Sequence, residues 1–177
     1  DLTGYTRNSR PGILACRPAP VQISYLGYPG TMGADFIDYI IADRTLVPEQ
    51  SQKFYSEKIV YMPHCYQVSD NSRPTSEVDV SRTELGLPEA GFVFCCFNHN
   101  YKITPREFDI WMRLLSRVEG SVLWLRRSNE WAEANLKKEA ETRGVDPGRL
   151  VFADSCTYSE FLMRITKADL FLDTFNF

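Results

Sequence analysis

The sequence predicts an α/β fold: a doubly wound parallel sheet in its second half, preceded by a smaller α/β piece in its first. Three observations carry that prediction. Apolar runs of strand length alternate with segments of helical period along most of the 177 residues. From Phe92 onward the alternation is regular, with four strands separated by three helices, the pattern of a parallel sheet with helical crossovers. Between the halves, residues 67–80 (QVSDNSRPTSEVDV) replace large apolar side chains with Ser, Asp, Asn, Pro and Thr, the composition of an interdomain linker. The domains expected are therefore 1–66, a linker over 67–80, and 81–177.

In order along the chain, residues 1–20 are broken up by Gly4, Asn8, Pro11, Gly12, Pro18 and Pro20, with a short helix expected over Ile13–Cys16. Val21–Leu26 has strand composition, and a loop with three glycines follows, Gly27–Gly33. A helical turn over Ala34–Asp38 leads to the apolar strand Tyr39–Ala42. Pro48 suits the first turn of a helix over Glu49–Tyr55, and Glu57–Met62 is again a strand. After the linker come a helical turn at Ser81–Leu85 and strand Phe92–Phe97. Helix Pro105–Val118, strand Val122–Arg126, helix Glu130–Arg143, strand Leu150–Ala153, helix Tyr158–Lys167 and strand Leu170–Asp173 complete the chain. Phe108, Trp111, Met112, Leu115 and Val118 form one stripe at helical spacing. Thr104 with Glu107, and Thr157 with Glu160, have the spacing of capping boxes. The second of the three helices is expected to stop at Gly144.

Composition narrows the function. A net charge of −3 and a pI near 5.5 leave no basic footprint for nucleic acid. No apolar run approaches the ~18 residues of a membrane span. Five cysteines, odd in number and without C-x-x-C spacing, point to reduced, buried thiols and a cytoplasmic setting, not to a disulfide framework or a zinc site. Short signatures for P-loops, dinucleotide-binding turns, zinc proteases and serine hydrolases are absent. Glu77 and Asp79 form an acidic pair inside the linker and read as solvated. His64, after Pro63, reads as a strand-end residue or as part of a cleft. The chain begins at Asp1 and stops at Phe177, on the tip of a predicted strand, and reads as a fragment.

Residues 92–105, FVFCCFNHNYKITP, are the most informative stretch. A buried strand ends there in a polar loop, Asn98 to Lys102, before a helix opens at Thr104-Pro105. In open α/β sheets ligands bind outside the carboxyl ends of strands, and helix N-termini offer N–H groups to phosphate. Lys102 is placed either as a mobile charge on a phosphate or as a solvated loop lysine. Gly27–Gly33 is either ordinary turn chemistry or a place where a ligand approaches the backbone closely.

RPAPVQISYLGYPGTMGADFIDYIIAD (17–43), YSEKIVYMPH (55–64), CFNHNYKITP (96–105), SVLWLRR (121–127) and ADLFLDT (168–174) together resemble the catalytic region of the protein O-GlcNAc transferases, a family that includes the SPINDLY-type proteins. The resemblance runs over nearly the whole chain. It implies a two-lobed GT-B fold, with 1–66 the end of the first Rossmann-like lobe and 81–177 the first half of the nucleotide-binding lobe. It also implies tetratricopeptide repeats ahead of the catalytic part, and inverting transfer of GlcNAc from UDP-GlcNAc to protein Ser or Thr hydroxyls, with no cofactor or metal. Carried over residue by residue, Lys102 matches the lysine on the diphosphate, and Asn98 and His99 fall beside the nucleotide. Animal members usually carry glutamine where His99 stands. Gly27, Tyr28 and Pro29 match a first-lobe loop that meets the sugar. Cys156, through its backbone, and Arg164 match positions around the uracil, and Phe177 one near the acetamido group.

Two departures from the family pattern stand out. Phe161 occupies the place of a base-stacking histidine, where it either stacks likewise or turns inward with Ile165 and Ala168. Tyr158 replaces a lysine expected to assist with the nucleotide. The family's histidine-bearing segment after LDT and its upstream histidine lie outside the sequence, so the chain alone is expected not to turn over substrate. The same scaffold with GDP-fucose as donor is one rival reading. A non-catalytic scaffold with a degenerate pocket is the other.

Overall fold

A computed structural model describes residues 1–176. The chain divides into two compact units, residues 1–71 and 72–177, each built on its own parallel sheet. The boundary splits the polar stretch 67–80. Its second part is tied into the second unit, where the Ser76 N–H donates to the Ser159 carbonyl at 3.2 Å and Lys167 Nζ meets Asp79 Oδ1 at 2.6 Å.

The first unit holds a short helix α1 (Pro11–Ala15) and strands β1 (Ile23–Ser24), β2 (Tyr39–Ala42) and β3 (Lys58–Tyr61), in the order β1-β2-β3. Central β2 buries Ile40 and Ala42 almost completely. The helix expected over 49–55 is a tighter 3₁₀ turn, Glu49–Phe54. Strand β1 is shorter than its composition suggests. Beyond Ser24 the Tyr25 N–H turns to the Asp1 carbonyl at 2.8 Å, and Leu26 adopts a φ of 73°, which no strand continues. Before it, buried Gln22 spends its side-chain N–H groups on the Leu14 and Phe36 carbonyls. At the end of β2, backbone N–H groups of Leu46 and Tyr66 hold the Asp43 carboxyl below its ordinary pKa.

The second unit is a four-stranded parallel sheet in the order β6-β5-β4-β7, with β4 at Val93–Cys96, β5 at Val122–Arg126, β6 at Leu150–Ala153 and β7 at Leu170–Phe171. Helices α2 (Pro105–Arg117), α3 (Glu130–Thr142) and α4 (Tyr158–Ile165) are the crossovers. All four residues of β4 are buried, so alternate side chains serve two cores. Phe94 and Cys96 join Leu123 and Leu125 beneath Phe108, Trp111, Met112 and Leu115 of α2. Val93 and Cys95 join Val122, Trp124 and Leu87 on the other face. Among the described residues no helix is long and apolar enough to cross a membrane.

Two expectations are corrected. The Thr157–Glu160 capping box forms in full at α4. The Thr104–Glu107 box does not, because Glu107 is 2 % exposed and its carboxyl oxygens are used elsewhere. Oε2 takes the Thr104 hydroxyl instead of a backbone N–H, and Oε1 takes the Phe175 N–H at 2.9 Å. Glu107 thus ties the chain after β7 to the start of α2. The thiols expected to be buried divide as well: Cys95 and Cys96 are buried, Cys156 is half-buried, and Cys16 and Cys65 are exposed, all five being free.

Glu107→Ala leaves the Phe175 N–H and the Thr104 hydroxyl without this acceptor, and urea unfolding should show a loss of about 2 kcal/mol. Burial raises the Cys95 thiol from 9.0 to about 11. A neutral thiol is favoured by the fold, so its contribution is complete below about pH 9 and is lost as pH rises through about 11. Unfolding followed from pH 8 to 11 should therefore decline more steeply in the wild type than in Cys95→Ala.

Candidate functional site

The strands of the second sheet all point the same way, so their carboxyl ends share one edge, and a cavity of about 360 Å³ opens there. Phe97 follows β4, while Trp124 and Arg126 come from β5 and its end. Ala153, Asp154, Ser155 and Cys156 continue β6, and Tyr158, Phe161 and Arg164 come from α4. Aromatic rings make one side of it. Phe97 lies edge-on to Trp124 at 5.0 Å and to Phe161 at 5.5 Å, and Tyr158 follows at 6.4 Å from Phe161. Phe161 is half-buried and lines the cavity while touching Phe97, so it joins the two alternatives of an open and an inward ring. Trp124 is 1 % exposed, and its indole Nε1 has no hydrogen-bond partner among the described residues.

Charge surrounds this apolar wall. Arg164 Nη1 donates to the Asp154 carbonyl at 3.1 Å, which anchors α4 to the segment after β6. Arg127 Nε pairs with Asp154 Oδ1 at 2.7 Å. At the start of α4 the Thr157 backbone N–H, then its hydroxyl, hold the Glu160 carboxyl below its ordinary pKa. Arg126 reaches the neighbouring loop: its Nη1 lies 3.0 and 3.1 Å from the two ring nitrogens of His99. A guanidinium has no acceptor, so the ring nitrogen it meets accepts.

The loop after β4 is itself ordered by side chains. Asn98 Nδ2 donates to Asp173 Oδ1 at 2.7 Å and to Thr174 Oγ1 at 3.0 Å, joining the ends of β4 and β7. His99 stacks on Tyr101 at 5.3 Å. Asn100–Lys102 form a 3₁₀ turn, and the Lys102 N–H donates to the His99 carbonyl at 2.9 Å. Lys102 is half-buried on this turn and is not among the residues lining the aromatic cavity. The structure thus gathers Cys156, Phe161 and Arg164 on the cavity wall, with Asn98, His99 and Lys102 on the loop that Arg126 joins to it.

Gly27, Tyr28 and Pro29 belong to the first unit. A Cβ on Gly27 would lie 2.2 Å from the Leu2 carbonyl oxygen, so this glycine is required by the chain's own backbone, whatever ligand it meets. Tyr28 lies edge-on to Tyr5 at 5.7 Å, and the Pro29 carbonyl accepts from the Tyr55 hydroxyl at 3.0 Å. Buried Glu57 fastens the rest of the loop, taking the Met32 N–H and the Thr31 hydroxyl, each at 2.6 Å. Phe177 lies outside the described residues. Reading the sequence alone missed Arg126, Trp124 and Phe97 as site residues. The available signal was an arginine closing the apolar run VLWL, since a charge at the carboxyl end of a buried strand faces the ligand edge.

Comparison with known proteins identifies the family and the fold. The model of glycosyl transferase family 41 matches residues 1–75 and 71–176. The Arabidopsis thaliana protein named probable UDP-N-acetylglucosamine–peptide N-acetylglucosaminyltransferase SEC is 41 % identical over 98 % of this chain. A Petunia hybrida SPINDLY protein, named with the same probable activity, is 31 % identical over 100 % of it. The chain spans only 18 and 19 % of these relatives' lengths. A solved Thermobaculum terrenum O-GlcNAc transferase mutant superposes with a TM-score of 0.76 and 27 % identity, covering 92 % of this chain and 30 % of that one. The α/β architecture with parallel sheets is accordingly of the GT-B type found in that enzyme. This chain belongs to glycosyl transferase family 41.

Proposed function

We propose that this chain forms the donor-binding part of a cytoplasmic protein O-GlcNAc transferase, moving GlcNAc from UDP-GlcNAc to Ser or Thr hydroxyls of proteins. One observation carries the reading: an aromatic, arginine-bearing cavity lies at the carboxyl edge of a parallel sheet, beside the Asn98–Lys102 loop. Relatives from Arabidopsis thaliana and Petunia hybrida carry UDP-N-acetylglucosamine in their names. In this proposal the uracil enters the cavity against Phe161, with Cys156 and Arg164 around it. The diphosphate then runs toward the loop, where Asn98, His99 and Lys102 stand and Arg126 adds a second cation. The acceptor oxygen bonds to C1 from the face opposite the diphosphate, inverting that centre, while its O–H bond breaks and the proton passes to water. The C1–O bond to the diphosphate breaks with its electron pair leaving on UDP. Lys102 neutralises that developing charge, the work a bound metal does in other transferases. Gly27, Tyr28 and Pro29 are proposed on the sugar side, as is Phe177, and tetratricopeptide repeats ahead of this region are proposed to recruit acceptors.

Calorimetry on the full-length protein tests the donor. UDP should bind and GDP should not, whereas the reverse result would install the fucose donor; Phe161→Ala should weaken UDP about tenfold, the worth of one aromatic ring under a base. Lys102→Ala should lower kcat about 10²- to 10³-fold, as for a group that serves the transition state, with the variant still folded by circular dichroism. Unchanged turnover in Lys102→Ala would remove the lysine from the mechanism.

A further inference from the structure

The segment 72–80 runs alongside α4, fastened to its start at one end and to Lys167, just past its last turn, at the other. Near the far end Asp79 Oδ1 meets Lys167 Nζ at 2.6 Å. In the middle the Ser76 N–H donates to the Ser159 carbonyl at 3.2 Å, and the Ser159 hydroxyl donates to the Pro74 carbonyl at 3.3 Å. At the near end Arg73 Nη1 donates to the Tyr158 hydroxyl at 2.7 Å, and its guanidinium carbon lies 5.0 Å from the centroid of the same ring. One side chain therefore holds Tyr158 by two different interactions.

Tyr158 is the first residue of α4, 54 % exposed, and its ring is part of the cavity wall next to Phe161. An exposed aromatic ring at a helix start has more than one rotamer open to it, and the one seen here lines the cavity. Arg73 itself does not line the cavity. Whatever it does for a ligand must pass through Tyr158.

We propose that Arg73 is a positioning residue for the cavity: anchored in the strap 72–80, it fixes Tyr158 in the wall-forming orientation, so that a ligand ring meets a formed pocket. Part of the ordering entropy of binding is thereby removed in advance. The inference rests on the reading that the cavity takes the donor's base.

The test uses the full-length protein, with UDP in calorimetry and UDP-GlcNAc in steady-state kinetics. Arg73→Ala should raise the UDP Kd and the donor KM together by about three- to fivefold, the worth of an exposed cation–ring contact, with kcat unchanged. Arg73→Lys keeps the cation and should recover most of the affinity. Arg73→Ala added to Tyr158→Ala should cost nothing further, because both changes break one contact. A wild-type affinity for UDP that Arg73→Ala leaves intact would overturn the positioning role alone. A fall in kcat accompanied by a lower melting temperature, or additive losses in the double variant, would overturn it in favour of plain structural support. Failure of the wild type to bind UDP at all would overturn the donor-site reading and this inference with it.

Discussion

A strand buried on both faces has no place for a polar side chain until it ends. Strand β4, Val93–Cys96, is such a strand: its four side chains alternate between two cores, and its neighbours run parallel to it on both sides. Parallel neighbours must stop at the same edge, and the polar residues held back by burial all emerge there. Arg126 closes β5, and Asn98, Asp154 and Asp173 are the first polar groups past β4, β6 and β7 respectively. Their contacts with His99, Arg127, Arg164 and Thr174 follow from that crowding. The site is the edge that the core leaves over.

The same constraint explains what could be read from the sequence. Strands β2, β5 and β6 have the limits their apolar runs indicate, because a buried strand ends where its hydrophobic run ends. The stripe on α2 is equally plain, with Phe108, Trp111, Met112 and Leu115 all buried. Misreadings fall where a distant partner decides the outcome. Strand β1 is cut short by Asp1, more than twenty residues away in the chain. Glu107 carries the spacing of a capping residue but answers to Phe175, 68 positions on. Local pattern predicts local bonds, and long-range closure overrules it.

For the candidate site the division is similar. Cys156, Phe161 and Arg164 enter through family resemblance, and all three line one cavity. Phe97 and Trp124, which line it beside Phe161, are core side chains whose rings reach the edge. Burial makes such residues look purely structural in a sequence, although the same ring seals a core and floors a cavity. Arg126 was hidden for the opposite reason: a lone arginine has no periodicity to mark it, and only the fold shows that it faces His99.

Trp124 also has an optical consequence. Sealed from water, with its indole nitrogen unpartnered, it should emit at short wavelength, whereas Trp131, 71 % exposed on α3, should emit as solvated indole. Trp111, on the buried face of α2, is not among the residues that line the cavity. Trp111 emits on the blue side too, but only Trp124 lines the cavity, so a ligand-dependent change in the blue emission reports what occupies that space without any attached dye.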